Sequence, residues 1–253
     1  MFNTSQRFMI APTLEQEKEL KMTIKYISFD LDDTFWDVMP TIYKAEEITA
    51  NWIRDNYFGA SKLMGTDSVI EVRNKLVNED SSLKFQISKL RKKIFYETSL
   101  LAGYSEAESL EMSKKAFEIF IEARNDVVFF EGALEALERL KKQYSLGVIT
   151  NGNADLEKIG IAHLFDHCFS SADTNAHKPD PKAFETLINA SGLKPDEICH
   201  VGDHPINDVK GSYDCGMKPI WYKNPGAVWP LDELKVPEFE NWDSFETVLE
   251  SSY

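Results

Sequence analysis

The hydrophobic and polar positions along the chain follow three successive patterns. Residues 24–29 alternate apolar and polar side chains and are rich in β-forming residues, which predicts a strand. From about residue 40 to about residue 125, apolar residues recur at helical spacing, as at Ile42, Ala45 and Ile48. Short apolar runs then alternate with short amphipathic stretches. The predicted order is one strand, a long helical block, and a region of alternating strands and helices.

The helical block contains a second helix start. Ser105 and Glu108 have the spacing of a capping box, in which each side chain accepts a hydrogen bond from a main-chain N–H group at the helix start. Leu110, Phe117 and Phe120 follow and form a predicted apolar stripe. We interpret the aromatic residues of this block as its hydrophobic core.

The region after the helical block has the pattern of an α/β fold. Four short apolar runs predict strands, at residues 146–149, 168–170, 198–201 and 217–222. Residues 183–190 predict a helix that Gly192 ends. Apolar strands that alternate with helices indicate a parallel sheet covered on both faces. The predicted fold class is therefore α/β, with a doubly wound parallel sheet.

The helical block interrupts this α/β pattern directly after the first strand, which predicts an inserted second domain. On this basis, residues 23–38 and 129–253 form the core, and residues 39–128 form an inserted helical cap domain. Residues 1–22 precede the first strand pattern and are predicted to be an N-terminal extension.

The composition is that of a folded and strongly acidic protein. Of the 253 residues, 43% are hydrophobic and 28% are charged, and the formal net charge is -14. A negative surface repels nucleic acid, so a nucleic-acid partner is not expected. An acidic protein that binds a small phosphate needs a local source of positive charge.

Cysteine usage and apolar runs bear on the cellular compartment. The three cysteines, Cys168, Cys199 and Cys215, fit no zinc-binding spacing and are expected to be reduced thiols in a cytoplasmic protein. No apolar run approaches the ~18 residues that a membrane-spanning helix needs, and the N-terminal residues lack a secretory signal pattern. A membrane partner is therefore not expected, and the oligomeric state is not indicated.

Polar residues follow the predicted strands at four places. They are Asp30 with Asp32, Thr150 with Asn151, Lys178 with Pro179, and Asp203 with Asp208. In a doubly wound sheet, ligands bind at the carboxyl ends of the strands. The fold is thus expected to gather these residues into one site. One acidic pair alone would equally fit a turn, because aspartate frequently caps turns and helices.

The same residues carry a resemblance to a known family. Four segments resemble the motifs of the haloacid dehalogenase (HAD) superfamily: Asp30–Thr34, Ile149–Gly152, Lys178–Pro181, and Val201–Asp203 followed by Asp208. The helical block resembles the cap that lies between the first and second motifs of that superfamily. Within it, the sequence looks similar to flavin-mononucleotide and phosphosugar phosphatases.

The resemblance implies a two-step phosphoryl transfer. Asp30 would attack phosphorus and form an aspartyl-phosphate, which splits hydrolysis into two displacements. Asp32 is two residues further on, a spacing that returns its side chain to the same side in an extended segment. It would protonate the leaving alkoxide and then deprotonate the attacking water. The two carboxyl groups therefore need opposite protonation states at the start.

The resemblance also implies Mg²⁺ as cofactor. The implied ligands are the Asp30 carboxylate, the Asp32 main-chain carbonyl and the Asp203 carboxylate, which are hard oxygen donors. Asp208 is implied to stand behind these ligands and to orient waters or Lys178. Asp208 also fits an acidic residue in the first turn of a helix, where the helix dipole favours it.

Three residues are implied to bind the phosphate of the substrate. Thr150 would donate its hydroxyl group and Asn151 its amide. Lys178 would supply the positive charge that keeps Asp30 ionised and stabilises the transition state. The predicted activity is magnesium-dependent hydrolysis of a small phosphomonoester, such as a flavin, nucleotide or sugar phosphate.

Three other functions compete with this prediction. A haloacid dehalogenase would share the nucleophile but needs neither a metal nor a proton donor, so Asp32 and Asp203 argue against it. A phosphosugar mutase would keep all the same core residues, and the sequence leaves it open. A binding protein on an inactive scaffold is disfavoured because every implied catalytic position is intact.

The size and shape of the substrate are inferred from the cap and one tryptophan. A cap that closes through linkers near residues 37–40 and 127–131 restricts the substrate to a small phosphorylated metabolite. Trp36 lies just past the first acidic motif and is expected either to stack on a planar ring of the substrate or to pack the hinge. His204 directly follows Asp203 and is a further candidate for substrate contact.

Overall fold

The computed structural model describes residues 24–253, in which a six-stranded parallel sheet has the order β3-β2-β1-β4-β5-β6. Its strands are β1 (Tyr26–Phe29), β2 (Ser145–Thr150), β3 (His167–Ser170), β4 (Ile198–Gly202), β5 (Lys218–Tyr222) and β6 (Glu238–Phe239). This sheet confirms the predicted doubly wound α/β fold. The predicted extension at residues 1–22 lies outside the described residues.

The strand order changes direction beside β1. Phe29 of β1 is paired with Val148 of β2 on one side and with Val201 of β4 on the other. Ligands of doubly wound sheets bind outside the carboxyl ends of the strands, at such a change of direction. Asp30 follows Phe29 directly, so the topology places the first predicted site residue at this position.

Helices connect the strands and cover the sheet. Those between β1 and β2 are α1 (Val38–Asn56), α2 (Phe58–Ser61), α3 (Asp67–Glu79), α4 (Ile87–Leu101), α5 (Glu106–Arg124) and α6 (Ala133–Leu140). Those that follow are α7 (Leu156–Ile159), α8 (Ser171–Thr174), α9 (Pro181–Ser191), α10 (Gly211–Asp214) and α11 (Phe245–Ser252). Short 3₁₀ turns occur at Ser81–Lys84, Ala162–Leu164, Pro195–Glu197 and Trp242–Ser244, and a π-helical turn at Pro205–Lys210. None of the helices in residues 24–253 is both long enough and apolar enough to cross a membrane.

The segment from α1 to α5, called the helical insert below, has hydrophobic clusters of its own. The larger cluster joins α1, α4 and α5 and contains Ala45, Ile53, Ala60, Phe95, Met112, Ala116, Phe117 and Phe120. A smaller cluster contains Val72, Leu76, Leu83 and Leu90. The predicted capping box is present, since Ser105 Oγ accepts from the Glu108 N–H at 3.3 Å and the Glu108 carboxylate accepts from the Ser105 N–H at 2.9 Å.

Two positions of the predicted apolar stripes are wrong. Ile48 is 41% exposed and Leu110 is 65% exposed. The buried face of α1 instead follows every fourth position, at Thr41, Ala45, Thr49 and Ile53. Small residues on a ridge of this spacing let two helices approach closely, and the Thr49 hydroxyl is satisfied by donating to the Ala45 carbonyl at 2.7 Å. Packing between helices therefore decided which stripe is buried.

The main core lies between the sheet and the helices of the α/β region. It includes Ile27 and Phe29 of β1, Leu146 and Val148 of β2, and Val201 of β4, all fully buried. The three cysteines are free thiols, as predicted. A densely packed sheet holds the strand ends in place, so the loops that follow them have defined positions.

Candidate active site

The four predicted polar clusters meet in one pocket at the carboxyl ends of β1, β2 and β4. The pocket has a volume of about 180 Å³ and is called the acidic pocket below. It is lined by Asp30, Asp32, Asp33, Thr150, Asn151, Gly152, Lys178, Asp203, His204, Asn207 and Asp208. All of the catalytic, phosphate-binding and metal-ligating candidates from the sequence are in this set.

Asp30, Lys178 and Asp208 form a row of buried charges. The Lys178 ammonium nitrogen lies 2.7 Å from Asp30 Oδ1 and 2.6 Å from Asp208 Oδ1. It also donates to the main-chain carbonyl of Ile149 at 2.6 Å. An ammonium group has three N–H donors, so these three contacts use all of them. Lys178 is therefore fixed between the two carboxylates.

The pocket shifts the acidity of its carboxyl groups. Burial raises the pKa of Asp30 to about 7, with Lys178 opposing the rise and Asp208 adding to it. Burial, reinforced by Asp208 and Asp30, raises the pKa of Asp203 to about 8. Burial also acts to raise the pKa of Asp208, but Lys178 and His200 hold that pKa below its usual range. Positive charge placed in this pocket would favour the ionised form of Asp30 and Asp203.

Three carboxylates of the acidic pocket could hold a metal ion. One oxygen from each of Asp30, Asp203 and Asp208 lies within 4.8 Å of the others. Carboxylate oxygens are the ligands that Mg²⁺ prefers, and a cation here would offset the burial that raises the pKa of Asp30 and of Asp203. The residues present therefore fit a magnesium ion. The predicted ligands Asp30 and Asp203 are both in the cluster, and the third predicted ligand, Asp32, lines the same pocket.

Asp208 lies closer to the cluster than the sequence implied. It was expected to stand behind the ligands, yet one of its oxygens belongs to the group of three. The same carboxylate is paired with Lys178 and accepts from the His204 main-chain N–H at 2.9 Å. Its ion pair with Lys178 is compatible with the predicted task of orienting that lysine, which stays a prediction.

Asp32 has a different environment from Asp30. Both of its carboxylate oxygens accept from Arg124 Nη2 at 2.6 Å, and Oδ1 also accepts from Trp36 Nε1 at 2.8 Å. Its side chain is 21% exposed, whereas that of Asp30 is 12% exposed. Two neighbouring carboxyl groups with different partners can take different roles in acid–base chemistry.

Arg124 is a site residue that the sequence analysis missed. It ends α5, the last helix of the helical insert, and is 1% exposed. No motif surrounds it, and a basic residue in the last turn of a helix is ordinarily explained by the helix dipole. Only its burial next to Asp32 distinguishes it from a surface arginine.

The interpretation that Trp36 stacks on a substrate ring is wrong. Trp36 is fully buried and packs edge-on against Phe129, with the ring centroids 5.4 Å apart. Its main chain forms bridges with both Asp32 and Phe129. Trp36 therefore packs the connection between the helical insert and the sheet, and no face of its ring is open to a ligand.

Thr150 and Asn151 lie at the end of β2, as predicted. Thr150 Oγ1 accepts from the Gly152 N–H at 2.9 Å, which leaves its own proton free to be donated. The Asn151 side chain accepts from the Lys178 N–H at 2.8 Å and donates to the Lys178 carbonyl at 3.1 Å. The amide of Asn151 thus braces the main chain of Lys178, a task that the sequence did not indicate.

His204 is engaged in local structure. Its ring Nδ1 accepts from the main-chain N–H groups of Ile206 and Asn207, at 3.2 and 3.1 Å, and so caps the π-helical turn. The residue also lines the acidic pocket.

Comparisons with known proteins identify the family of this chain. Residues 27–222 match the profile of the haloacid dehalogenase-like hydrolases. The chain is 26% identical over 219 residues to the 5-amino-6-(5-phospho-D-ribitylamino)uracil phosphatase of Escherichia coli, covering 86% of this chain and 92% of that protein. It is 27% identical over 231 residues to the glyceraldehyde 3-phosphate phosphatase of Pyrococcus furiosus, and the match covers 87% of this chain and 88% of that protein.

A solved structure gives a similar result. The fold superimposes on that of a 2-haloacid dehalogenase from Pseudomonas syringae pv. Tomato with a TM-score of 0.87 and 35% sequence identity. The match covers 90% of this chain and 99% of the other. With the family profile spanning the strands from β1 to β5, this protein belongs to the haloacid dehalogenase-like hydrolases and is a hydrolase.

Proposed function

We propose that this hydrolase is a magnesium-dependent phosphatase that acts on a small phosphomonoester through an aspartyl-phosphate on Asp30. The observation that carries the proposal is the contrast between two carboxyl groups of one pocket. Asp30 lies beside Lys178 and the carboxylates of Asp203 and Asp208, whereas Asp32 is bound by Arg124 and Trp36. Because the two carboxyl groups have different partners, they can take different roles, and we assign Asp30 as the nucleophile and Asp32 as the group that exchanges protons.

Each residue of the pocket then has a defined task. Asp30 attacks phosphorus, Lys178 neutralises the developing charge, and the Thr150 hydroxyl and a remaining Asn151 N–H hold phosphoryl oxygens. Asp32 gives a proton to the leaving oxygen and later takes one from the attacking water. Asp30, Asp203 and the Asp32 carbonyl would hold a magnesium ion, which would supply the positive charge that lets a carboxylate and a phosphate dianion approach.

We also propose that residues 39–128 act as a cap domain on a core of residues 23–38 and 129–253. Hydrogen bonds join the helical insert to the core beside the acidic pocket, from Arg124 to Asp32 and between Asn153 and Ser88. A cap seated there excludes large substrates and water. A pocket of about 180 Å³ accommodates a phosphoryl group, which supports a small phosphorylated metabolite as substrate. The free thiols are in keeping with a cytoplasmic protein.

A dehalogenase is the second candidate, because a 2-haloacid dehalogenase shares 35% identity and a TM-score of 0.87 with this chain. Two features of the pocket favour the phosphatase. Halide is a good leaving group and needs no proton, yet Asp32 is held in place beside Asp30. Displacement of halide needs no cation, yet Asp203 lies with Asp30 and Asp208 in a group of carboxylates that fits one. A phosphosugar mutase would use the same pocket and differs only in the fate of the phosphoryl group.

One assay series separates these candidates. Release of inorganic phosphate from sugar, nucleotide and flavin phosphates and release of halide from 2-haloacids are measured on the same preparation, with magnesium or with excess chelator. We expect phosphate release that requires magnesium, and no halide release. Halide release in the presence of chelator would contradict the proposal and support a dehalogenase. Transfer of the phosphoryl group within the substrate, without release of phosphate, would contradict it and support a mutase.

A further inference from the structure

A buried arginine of the helical insert is bound to the proposed proton donor of the core. Arg124 Nη2 donates to both oxygens of Asp32 at 2.6 Å, and Arg124 Nε donates to Asn153 Oδ1 at 3.1 Å. Asn153 Nδ2 in turn donates to Ser88 Oγ in α4 at 3.0 Å. Helices α4 and α5 of the insert are thus joined to the loops after β1 and β2 by one network.

The stability of the fold does not explain this arginine well. Its second terminal nitrogen, Nη1, is buried and has no hydrogen-bond partner among residues 24–253. A buried donor without an acceptor destabilises the folded state, and a buried ion pair often contributes less than an apolar pair of similar volume. Arg124 therefore fits a task in the reaction better than a task in holding the fold together.

The contacts divide the two oxygens of Asp32. Oδ1 accepts from both Arg124 and Trp36, whereas Oδ2 accepts from Arg124 alone. The two hydrogen bonds to Oδ1 keep the Asp32 carboxyl group from rotating. Oδ2 accepts one hydrogen bond, so it has a second lone pair that can carry a proton. Trp36 lies in the loop after β1, where its main chain bridges to Asp32 and Phe129, whereas Arg124 belongs to the last helix of the insert. Only Arg124 makes the orientation of Asp32 depend on the insert.

We propose that Arg124 is a positioning residue that directs the Asp32 carboxyl group at the leaving oxygen only while the helical insert is seated on the core. The inference rests on the proposed phosphatase function. In the first step the bond from Asp30 to phosphorus forms, the bond from phosphorus to the ester oxygen breaks, and the proton of Asp32 passes to that oxygen. In the second step a water proton returns to Asp32, the water oxygen bonds to phosphorus, and Asp30 is released.

The test compares two substrates in the full-length protein with Arg124→Met. An aryl phosphate such as 4-nitrophenyl phosphate has a leaving group that needs no proton, whereas an alkyl phosphate needs one. We expect kcat for the alkyl ester to fall about 100-fold and kcat for the aryl ester to fall by about threefold or less. KM should be unchanged for both, and Arg124→Lys should recover part of the alkyl rate.

Two controls separate positioning from other roles. Lys158 of the core pairs with Glu122 of the insert at 2.8 Å on the exposed surface, so Lys158→Met removes a bridge between insert and core without touching Asp32. It should leave both rates unchanged. In an Asp32→Asn background, Arg124→Met should add less than about a twofold further loss, because residues that act through one group are not additive.

Several results would overturn the assignment. Equal losses for the two esters, a raised KM with unchanged kcat, or additive effects with Asp32→Asn would make Arg124 a substrate ligand or a structural residue. If Arg124→Met does not fold, Arg124→Gln replaces it in the same comparison. A wild-type protein that releases phosphate from neither ester overturns the proposed function itself and this assignment with it.

Discussion

Gly152 approaches Asp32 so closely that a β-carbon on residue 152 would lie 2.5 Å from Asp32 Oδ2. The same β-carbon would lie 3.3 Å from Thr150 Oγ1. A carbon at 2.5 Å from an oxygen is well inside van der Waals contact, so one of the two groups has to move. The loop after β2 therefore needs glycine in order to pass the proposed proton donor.

Gly152→Ala is expected to displace the Asp32 carboxyl group and to lower kcat for alkyl phosphates by about 10- to 100-fold. Steady-state phosphate release with an alkyl and an aryl ester measures the effect. Gly160→Ala is a suitable control, because a β-carbon there meets no atom within 4 Å and its positive φ of 89° affects stability alone. An unchanged alkyl rate in Gly152→Ala would show that Asp32 is not the donor.

Lys178→Met is expected to destabilise the protein and to inactivate it. Removal of one partner leaves the Asp30 and Asp208 carboxylates buried and facing each other, which costs about 3–5 kcal/mol in comparable cases. Urea denaturation gives the loss of stability, and phosphate release gives the loss of rate, which we expect to reach about 100-fold or more. The exposed Lys182 supplies the matched variant Lys182→Met, which should change neither quantity.

Asp30→Asn is expected to lower kcat by roughly 10³-fold or more while the fold is retained, because an amide cannot form the acyl phosphate. Phosphate release, a thermal melt and trapping of phosphorylated protein are the measurements. Asp232→Asn, at an exposed aspartate, provides the control. Turnover at the wild-type rate in Asp30→Asn would remove the proposed nucleophile.

Asp203→Asn is expected to change how stability depends on pH. The folded-state pKa of Asp203 is raised to about 8, so metal-free folded protein binds this proton more tightly than unfolded protein does. The stability that the proton supplies is complete below the ordinary carboxyl pKa of about 4 and is lost as the pH rises through about 8. In chelator at pH 8, Asp203→Asn should therefore melt at a higher temperature than the wild type, by about 2–4 °C for each kcal/mol recovered.

Magnesium should reverse this difference. The ion raises the melting temperature of the wild type at pH 8, and its apparent affinity falls as the pH drops, because protons and metal compete for the same carboxylate. Asp203→Asn should lose most of the increase. Melts at pH 5 and pH 8, with magnesium or chelator, check both points. Equal stabilisation of the variant and the wild type by magnesium would remove Asp203 from the set of metal ligands.

Several features were predicted from local sequence because local physics decides them. The alternation of apolar strands with helices predicted a parallel sheet, and five of its six strands formed from the runs that the pattern identified. The short edge strand β6 (Glu238–Phe239) was not predicted. Asp30, Thr150 and Asp203 stand at or just past strand ends, and the carboxyl ends of parallel strands share one edge. Their proximity in the acidic pocket thus follows from their positions at the ends of strands, which the apolar pattern of the sequence indicates.

Other features depended on which surfaces pack together. Ile48 was predicted to be buried from its spacing, but the contact between α1 and its neighbours buries Thr49 instead, beside the correctly predicted Ala45. Trp36 lies just past the first acidic motif, which was compatible with a substrate contact, but its ring is buried against Phe129. The local sequence around a hydrophobic residue does not specify which of several apolar surfaces will pack against it.

The α/β class and the order of the acidic and basic motifs could be read from the sequence, since each depends on a few neighbouring residues. The group that binds Asp32 is known only from the folded chain. Arg124 lies 92 positions further along the chain, at the end of a helix with no motif around it. Their contact exists because α5 is packed against its own cluster in the helical insert, and packing of that kind is a property of the folded whole.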